Sequence, residues 1–189
     1  MIGEAWEAMP DEAGEILRFW FGELKPEQWW KRDDAVDAVI RERFLDLHER
    51  LAEDVPEEWL ASPRSRLAAV IALDQFPRNL FRASPRSFAT DAKALALAKE
   101  TIALGLDTEL GESERIFLYV PFQHSENPDD QAQSVALYET LGNPDTLDFA
   151  KKHKLVIDRF GRFPHRNAVL GRESTQAERS FVAQESWFW

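Results

Sequence analysis

Apolar residues recur along this chain at steps of three and four, the spacing of a helix that buries one face. The clearest run is Val36, Val39, Ile40, Phe44, Leu47 and Leu51. It predicts a helix capped by Asp33 or Asp34, reaching about Ala52 and closed by Pro56. Glu12 to Phe21 reads as a shorter helix stopped by Gly22, and Pro26 to Trp30 as a turn or short helical piece. Ser62-Pro63 starts a helix that Pro77 kinks or ends near Phe76. Ser84-Pro85 or Thr90 begins the next, whose Ala- and Leu-rich body stops at Gly105. A helix opening at Ser113 carries Ile116 to Val120, apolar all round and therefore deeply buried. Asn127-Pro128 with Asp129 and Asp130 starts another that ends at Gly142. Asp145 begins one ending near Gly161, and Thr175 with Glu178 forms a capping box for a last helix. No segment alternates with period two and no Asn-Gly hairpin turn occurs. The pattern predicts a single all-α domain over residues 1–189, with helices stacked on helices through short connections.

Composition narrows this picture. Hydrophobic residues make up 44% of 189 residues, with 7 Trp and 13 Phe, enough for an aromatic-rich core. There is no Cys, which removes disulfides, thiolate metal sites and a Cys nucleophile, and fits a reducing compartment. No Lys or Arg precedes Arg18, so no secretory n-region is present, and no apolar run approaches a membrane span. A cytoplasmic location with no membrane partner is expected. The net charge of −11 argues against nucleic-acid binding, RNA included, which needs a positive footprint. The charge is uneven, however. Residues 150–172 hold seven Lys or Arg against Asp158, and residues 63–86 hold five Arg against Asp74. Such islands are usually solvated faces, but two Arg-rich stretches, one of them carrying His153 and His165, suggest a small anion site.

Polar residues on apolar stripes mark where such a site sits. Asp74 falls in the middle of the face made by Leu67, Val70 and Ile71, with Arg78 four residues on. It reads as a buried ion pair that fixes the kink, or as a pair that orients a ligand-binding Arg. His153 lies among Phe149, Val156, Ile157 and Phe160, either as a hydrogen-bonded core residue or facing an enclosed site. Two segments are dense in chemistry: Phe122-Gln123-His124-Ser125-Glu126, and Arg159 through Asn167 with its three Arg, one His and one Asn. Arg forks bind carboxylate or phosphate, and His moves protons near neutral pH; alternatively the Arg side chains cap helix C-termini.

Familiar chemistries are missing. There is no dinucleotide-type or Walker-type Gly-rich loop, no Gly-x-Ser-x-Gly elbow and no His-Glu-x-x-His. His124-Ser125-Glu126 has the His-x-Glu form of zinc deaminases, but without Cys its metal ligands cannot be assembled. The remaining His and Glu are scattered beside Arg, so neither a metal nor a cofactor is expected.

Leu73-Asp74-Gln75-Phe76-Pro77-Arg78-Asn79, Pro121 to Glu126, Arg159 to Asn167, and Leu170-Gly171-Arg172 with Ser174-Thr175 resemble the bacterial family catalogued as domain of unknown function 924. The similarity runs from Ile16-Leu17-Arg18-Phe19-Trp20-Phe21 onward. It implies a helical fold like the tetratricopeptide repeat, and no activity, substrate or cofactor. The ending Ser186-Trp187-Phe188-Trp189 differs from the family's small-residue ending and is expected to cover the core.

Two roles follow. One is a pocket between helices that binds an anionic small molecule and in which a reaction could take place, with His124, Glu126 and His165 as candidate catalytic groups. Asp74, Gln75, Arg78, His153, Arg159, Arg162, Arg166 and Asn167 are its candidate ligand-binding residues. The other is a protein-interaction scaffold whose stacked hairpins offer a groove to a peptide.

Overall fold

The computed structural model describes residues 9–184, and the aromatic ending expected to cover the core lies outside them. Among the described residues the fold is helical, with no strand. The helices are α1 (Asp11–Arg18), α2 (Asp34–Glu53), α3 (Pro63–Asp74), α4 (Phe76–Leu80), α5 (Asp91–Ala103), α6 (Glu112–His124), α7 (Pro128–Glu139), α8 (Pro144–Phe160) and α9 (Gln176–Gln184). No helix among the described residues is long and apolar enough to cross a membrane.

Two compact units divide the chain. The first runs to Arg82 and resumes over Arg86–Pro121; the second comprises Ala83–Pro85 and the residues from Phe122 on.

In the first unit α3 packs against α1, α2 and α5. Its start is local chemistry: Ser62 Oγ accepts from the Ser65 N–H while Ser65 Oγ accepts from the Ser62 N–H, ahead of Pro63. From Ser65 to Asp74 every residue of α3 is buried. The single apolar face expected from Leu67, Val70 and Ile71 is thus too narrow, because Ala68, Ala69 and Ala72 let neighbouring helices approach on the other sides. Pro77 cannot donate to the Leu73 carbonyl one turn earlier, and the helix is interrupted at Gln75. Thr90 Oγ supplies the missing donor to Leu73 O at 2.5 Å, which is why Thr90 makes no side-chain cap on α5.

α1 does not stop at Gly22. It continues as one widened π turn over Phe19–Glu23. That turn keeps Phe19 and Trp20 in the core, where Phe19 meets Phe44 at 5.3 Å and Trp20 meets Phe76 and Phe117.

In the second unit α7 and α8 form an antiparallel pair, each started by an Asn cap with Pro at the first helical position. Gly161, at φ 68°, ends α8 in the left-handed conformation that other residues resist. Val156, Ile157, Phe163 and Phe181 then join α8, the following loop and α9 in one core, with Phe160 and Val182 at its edge.

His48 of α2 is 4% exposed; its ring nitrogen Nδ1 lies 2.8 Å from Ala72 O and its ring packs on Phe81. Nδ1 donates there, since a carbonyl only accepts. Burial pushes its pKa below the ordinary value; the Ala72 bond raises it and Arg86 lowers it again, with Glu49 opposing. A lowered folded pKa means that the unfolded chain takes up the proton first. The stabilising share is therefore complete above about pH 6.5 and falls as pH drops through the folded pKa. Urea melts between pH 7.5 and 5 are expected to show this loss, and His48→Gln to flatten it; equal slopes in both proteins would refute it.

Candidate functional site

The second unit draws three stretches of sequence together. α6 runs through Pro121 to its last residue, so His124 stands at a helix end rather than on a loop after it. The His124 ring lies 6.5 Å from that of His153 on α8, centroid to centroid. His153 is 5.7 Å from Phe163, and Phe163 is 5.6 Å from His165. The Arg166 guanidinium sits 4.7 Å over the Phe163 ring. Phe163 is fully buried, Arg166 is buried, and the three imidazoles are half-buried. His153 also donates from Nδ1 to Phe149 O at 2.8 Å, one turn back on its own helix. Phe149, expected in the apolar cluster, is instead 45% exposed. It shares the arc of α8 that holds His153, Val156 and Phe160, but α8 is open to solvent at that end.

The loop carrying Phe163, His165 and Arg166 is held by two carboxylates. Glu126 accepts from the Phe163 N–H at 2.7 Å and from both terminal nitrogens of Arg172 at 2.7 and 3.0 Å. Arg172 also donates to Asn167 Oδ1 and Phe163 O. Burial pushes the Glu126 carboxyl up, but the Arg172 and Phe163 bonds outweigh it and leave the pKa below the usual carboxylate range. Glu126 is therefore an ionised anchor for the loop rather than a proton donor. Glu178 accepts from Arg162 at 2.7 and 3.0 Å and closes the expected capping box with Thr175.

The other candidates are placed as follows. Arg162 is matched by Glu178 and the Glu173 carbonyl, so its fork closes the loop onto α9. Arg159 is exposed and stacks on Phe160 at 4.7 Å and Phe181 at 5.8 Å. Asn167 is fully buried and bridges Ser174 and Arg172. Asp74, Gln75 and Arg78 belong to the first unit. There Arg78 makes a two-pronged pair with Asp91, at 2.9 Å twice, and approaches Asp74 Oδ1 at 3.6 Å. Gln75 donates to Asp74 Oδ2 at 2.6 Å. That is the kink-fixing ion pair, enlarged by a second carboxylate. Among the described residues no group of three or more His, Asp or Glu is arranged to hold a metal ion.

Gln131 was not legible as part of this site. It is fully buried on α7, with Nε2 at 3.2, 2.8 and 2.7 Å from the carbonyls of Phe122, Gln123 and Ser125. Those carbonyls flank His124 at the end of α6, where Phe122 O also takes the Ser125 N–H at 3.3 Å, so one amide helps to satisfy the helix end. Nothing in the local sequence signals it, since a Gln in a helix body is usually solvated. Arg172 stood in a family motif without an assigned task, and Glu178 was visible only as a cap.

Gln131→Met keeps the volume but removes the donor, and is expected to lower stability by about 1–3 kcal/mol. It should also broaden or move the His124 imidazole signals in NMR; unchanged signals would separate Gln131 from the site. Hydrogen bonds from Arg162 and Thr175 lower the Glu178 pKa from 4.5 to about 2. Its stabilising share is complete above about pH 4.5 and lost as pH falls toward 2. Glu178→Gln is expected to cost about 2 kcal/mol at pH 7 and to flatten the acid limb of the unfolding profile. A limb of wild-type steepness would show that Glu178 is not its source.

A family profile described as bacterial protein of unknown function (DUF924) matches residues 16–186. Among solved structures, a protein of unknown function from Agrobacterium tumefaciens is similar, with 38% identity and a TM-score of 0.87. The match covers 92% of this chain and 97% of that one. No curated protein matches. With the profile spanning nearly the whole chain and carrying the loop motifs described above, the protein belongs to the DUF924 family of bacterial proteins of unknown function.

Proposed function

We propose that the second unit binds a small organic anion at the face formed by His124, His153, Phe163 and His165, with Arg166 behind Phe163. The observation that carries this reading is the unbroken chain of ring contacts from His124 through His153 and Phe163 to His165. Residues from a helix end, a helix body and a loop meet there. Imidazoles whose centroids are 6.5 Å apart can both donate to one ligand oxygen placed between them. The half-exposed Phe149 supplies apolar surface for the rest of the molecule. In a reaction, His124 or His165 would move the proton, while Glu126 holds the loop. Arg78 and Arg162, counted as anion ligands on sequence grounds, drop out of this proposal because carboxylates already match them. The packing of α3 against α1, α2 and α5 supports, as part of the same proposal, a tetratricopeptide-like stacking in the first unit.

Benzoate and inorganic phosphate serve as probes in NMR titrations of the imidazole signals. Binding is expected to move His124 and His153 and to weaken about tenfold, or 1.4 kcal/mol, in His153→Ala. If both anions act on His124→Ala/His153→Ala as they do on the wild type, the site has no such role. A stoichiometric co-purifying protein, released by the same double substitution, would point to a scaffold instead.

A further inference from the structure

The first unit holds a titratable group that the histidine face does not absorb. His48 lies against one part of the fold that cannot yield and another that can. The first is α3, buried at every residue from Ser65 to Asp74, whose Ala72 carbonyl accepts from Nδ1 at 2.8 Å. The second is Phe81, half-buried just past the five-residue helix α4, with ring centroids 5.6 Å apart. The Arg86 guanidinium sits 3.7 Å over the Phe81 ring and donates to Glu49, next to His48 on α2, at 2.8 Å. Phe81 and Arg86 thus form a cover on His48, pinned by an ion pair whose partners are both more than half exposed. Such a pair is weak in water.

Further along α2 the same stretch of chain is held by other ties. Asp37 accepts from Asn79 at 2.8 Å and from Arg82 at 2.7 Å, and Arg41 donates to Leu80 O. Imidazole is the group in this row whose ordinary titration falls near neutral pH. A second proton on His48 goes to Nε2, because Nδ1 already donates to Ala72 O. Burial opposes that proton most, the Ala72 bond favours it, Arg86 opposes it and Glu49 favours it. Of the other charges near the ring, Arg50 pairs with Glu12 of α1, and Asp74 of α3 with Arg78 of α4, which also holds Asp91 of α5. Lys93 of α5 donates to the Ala52 and Glu53 carbonyls at the end of α2. The imidazolium therefore keeps its bond to α3, and the hydration that a buried charge needs comes from the side of the cover.

We propose that Phe81 and Arg86 are a proton-operated cover: protonation of His48 at Nε2 swings both side chains off its ring while the chain stays folded. The Asp37 and Arg41 ties hold the backbone of α4 in place as the cover opens. The device is independent of the histidine face and of the reading given for it.

The full chain is followed by NMR from pH 7.5 to 5.0, with near-UV circular dichroism as the check that the fold persists. Nuclear Overhauser contacts between the His48 and Phe81 rings are expected at pH 7.5 and are lost as His48 titrates. The Asn79 side-chain amide signals stay in place over the same range. With an opened-state histidine pKa of about 6.5, the ratio of open to closed cover rises up to about tenfold between pH 7.5 and 5.5. His48→Gln, which keeps a donor for Ala72 O, is expected to leave the Phe81 signals independent of pH. Arg86→Gln, at an exposed position, should raise the His48 titration midpoint, since it removes an opposing charge and half of the cover. The proposal is overturned if the ring contacts persist after His48 has titrated, or if His48 titrates only as the fold is lost. Phe81 signals that still move with pH in His48→Gln, or an unchanged midpoint in Arg86→Gln, would overturn it equally.

Discussion

A carboxylate taken out of water must be matched, because leaving it unpaired costs several kcal/mol. In the second unit Glu126 meets that condition by binding a loop. Its oxygens take the Phe163 N–H and the Arg172 fork, and Arg172 passes the constraint on to Asn167 and the Phe163 carbonyl. The segment between α8 and α9 has only one short turn of regular structure, Pro164–Arg166, yet Phe163, Arg166 and Asn167 are buried there. Its shape follows from this network more than from its own backbone. Without Glu126 the loop would lose the acceptor that fixes the Phe163 N–H, and Phe163 is the ring that both His153 and His165 touch.

The same rule governs the first unit. Asp74 and Asp91 share Arg78, and Thr90 meets the carbonyl that Pro77 cannot serve. Tyr119 is fully buried; its hydroxyl donates to Asp107 at 2.6 Å and accepts from Arg115 at 3.0 Å. Burial and the Asp107 bond push its pKa up to about 12, so it is a structural tie. Two of these ties engage a basic residue, Arg78 and Arg115, within the fold.

This explains which features were legible. Helix starts at Asp33, Ser62, Asn127 and Thr175 are local events, settled within three or four residues, and they stand where the spacing places them. Burial of Ile116 to Val120 followed from composition alone. The partners of the Arg residues did not. Arg172 finds Glu126 46 residues away, Arg162 finds Glu178 after 16, and Arg78 finds Asp91 after 13. Such choices depend on tertiary packing that no local rule encodes. The π turn at Phe19–Glu23 was missed for a related reason: Gly22 is a valid helix stop, but burying Trp20 beside Phe76 and Phe117 favours continuing the turn.

Pairing also sets the character of the histidine face. Arg162 and Arg172 bring fixed positive charge close to it, but Glu178 and Glu126 neutralise them at two-pronged contacts. A site built from arginines alone would hold an anion at any physiological pH. Here the forks of Arg162 and Arg172 are closed on carboxylates, so they hold the loop that carries Phe163, His165 and Asn167.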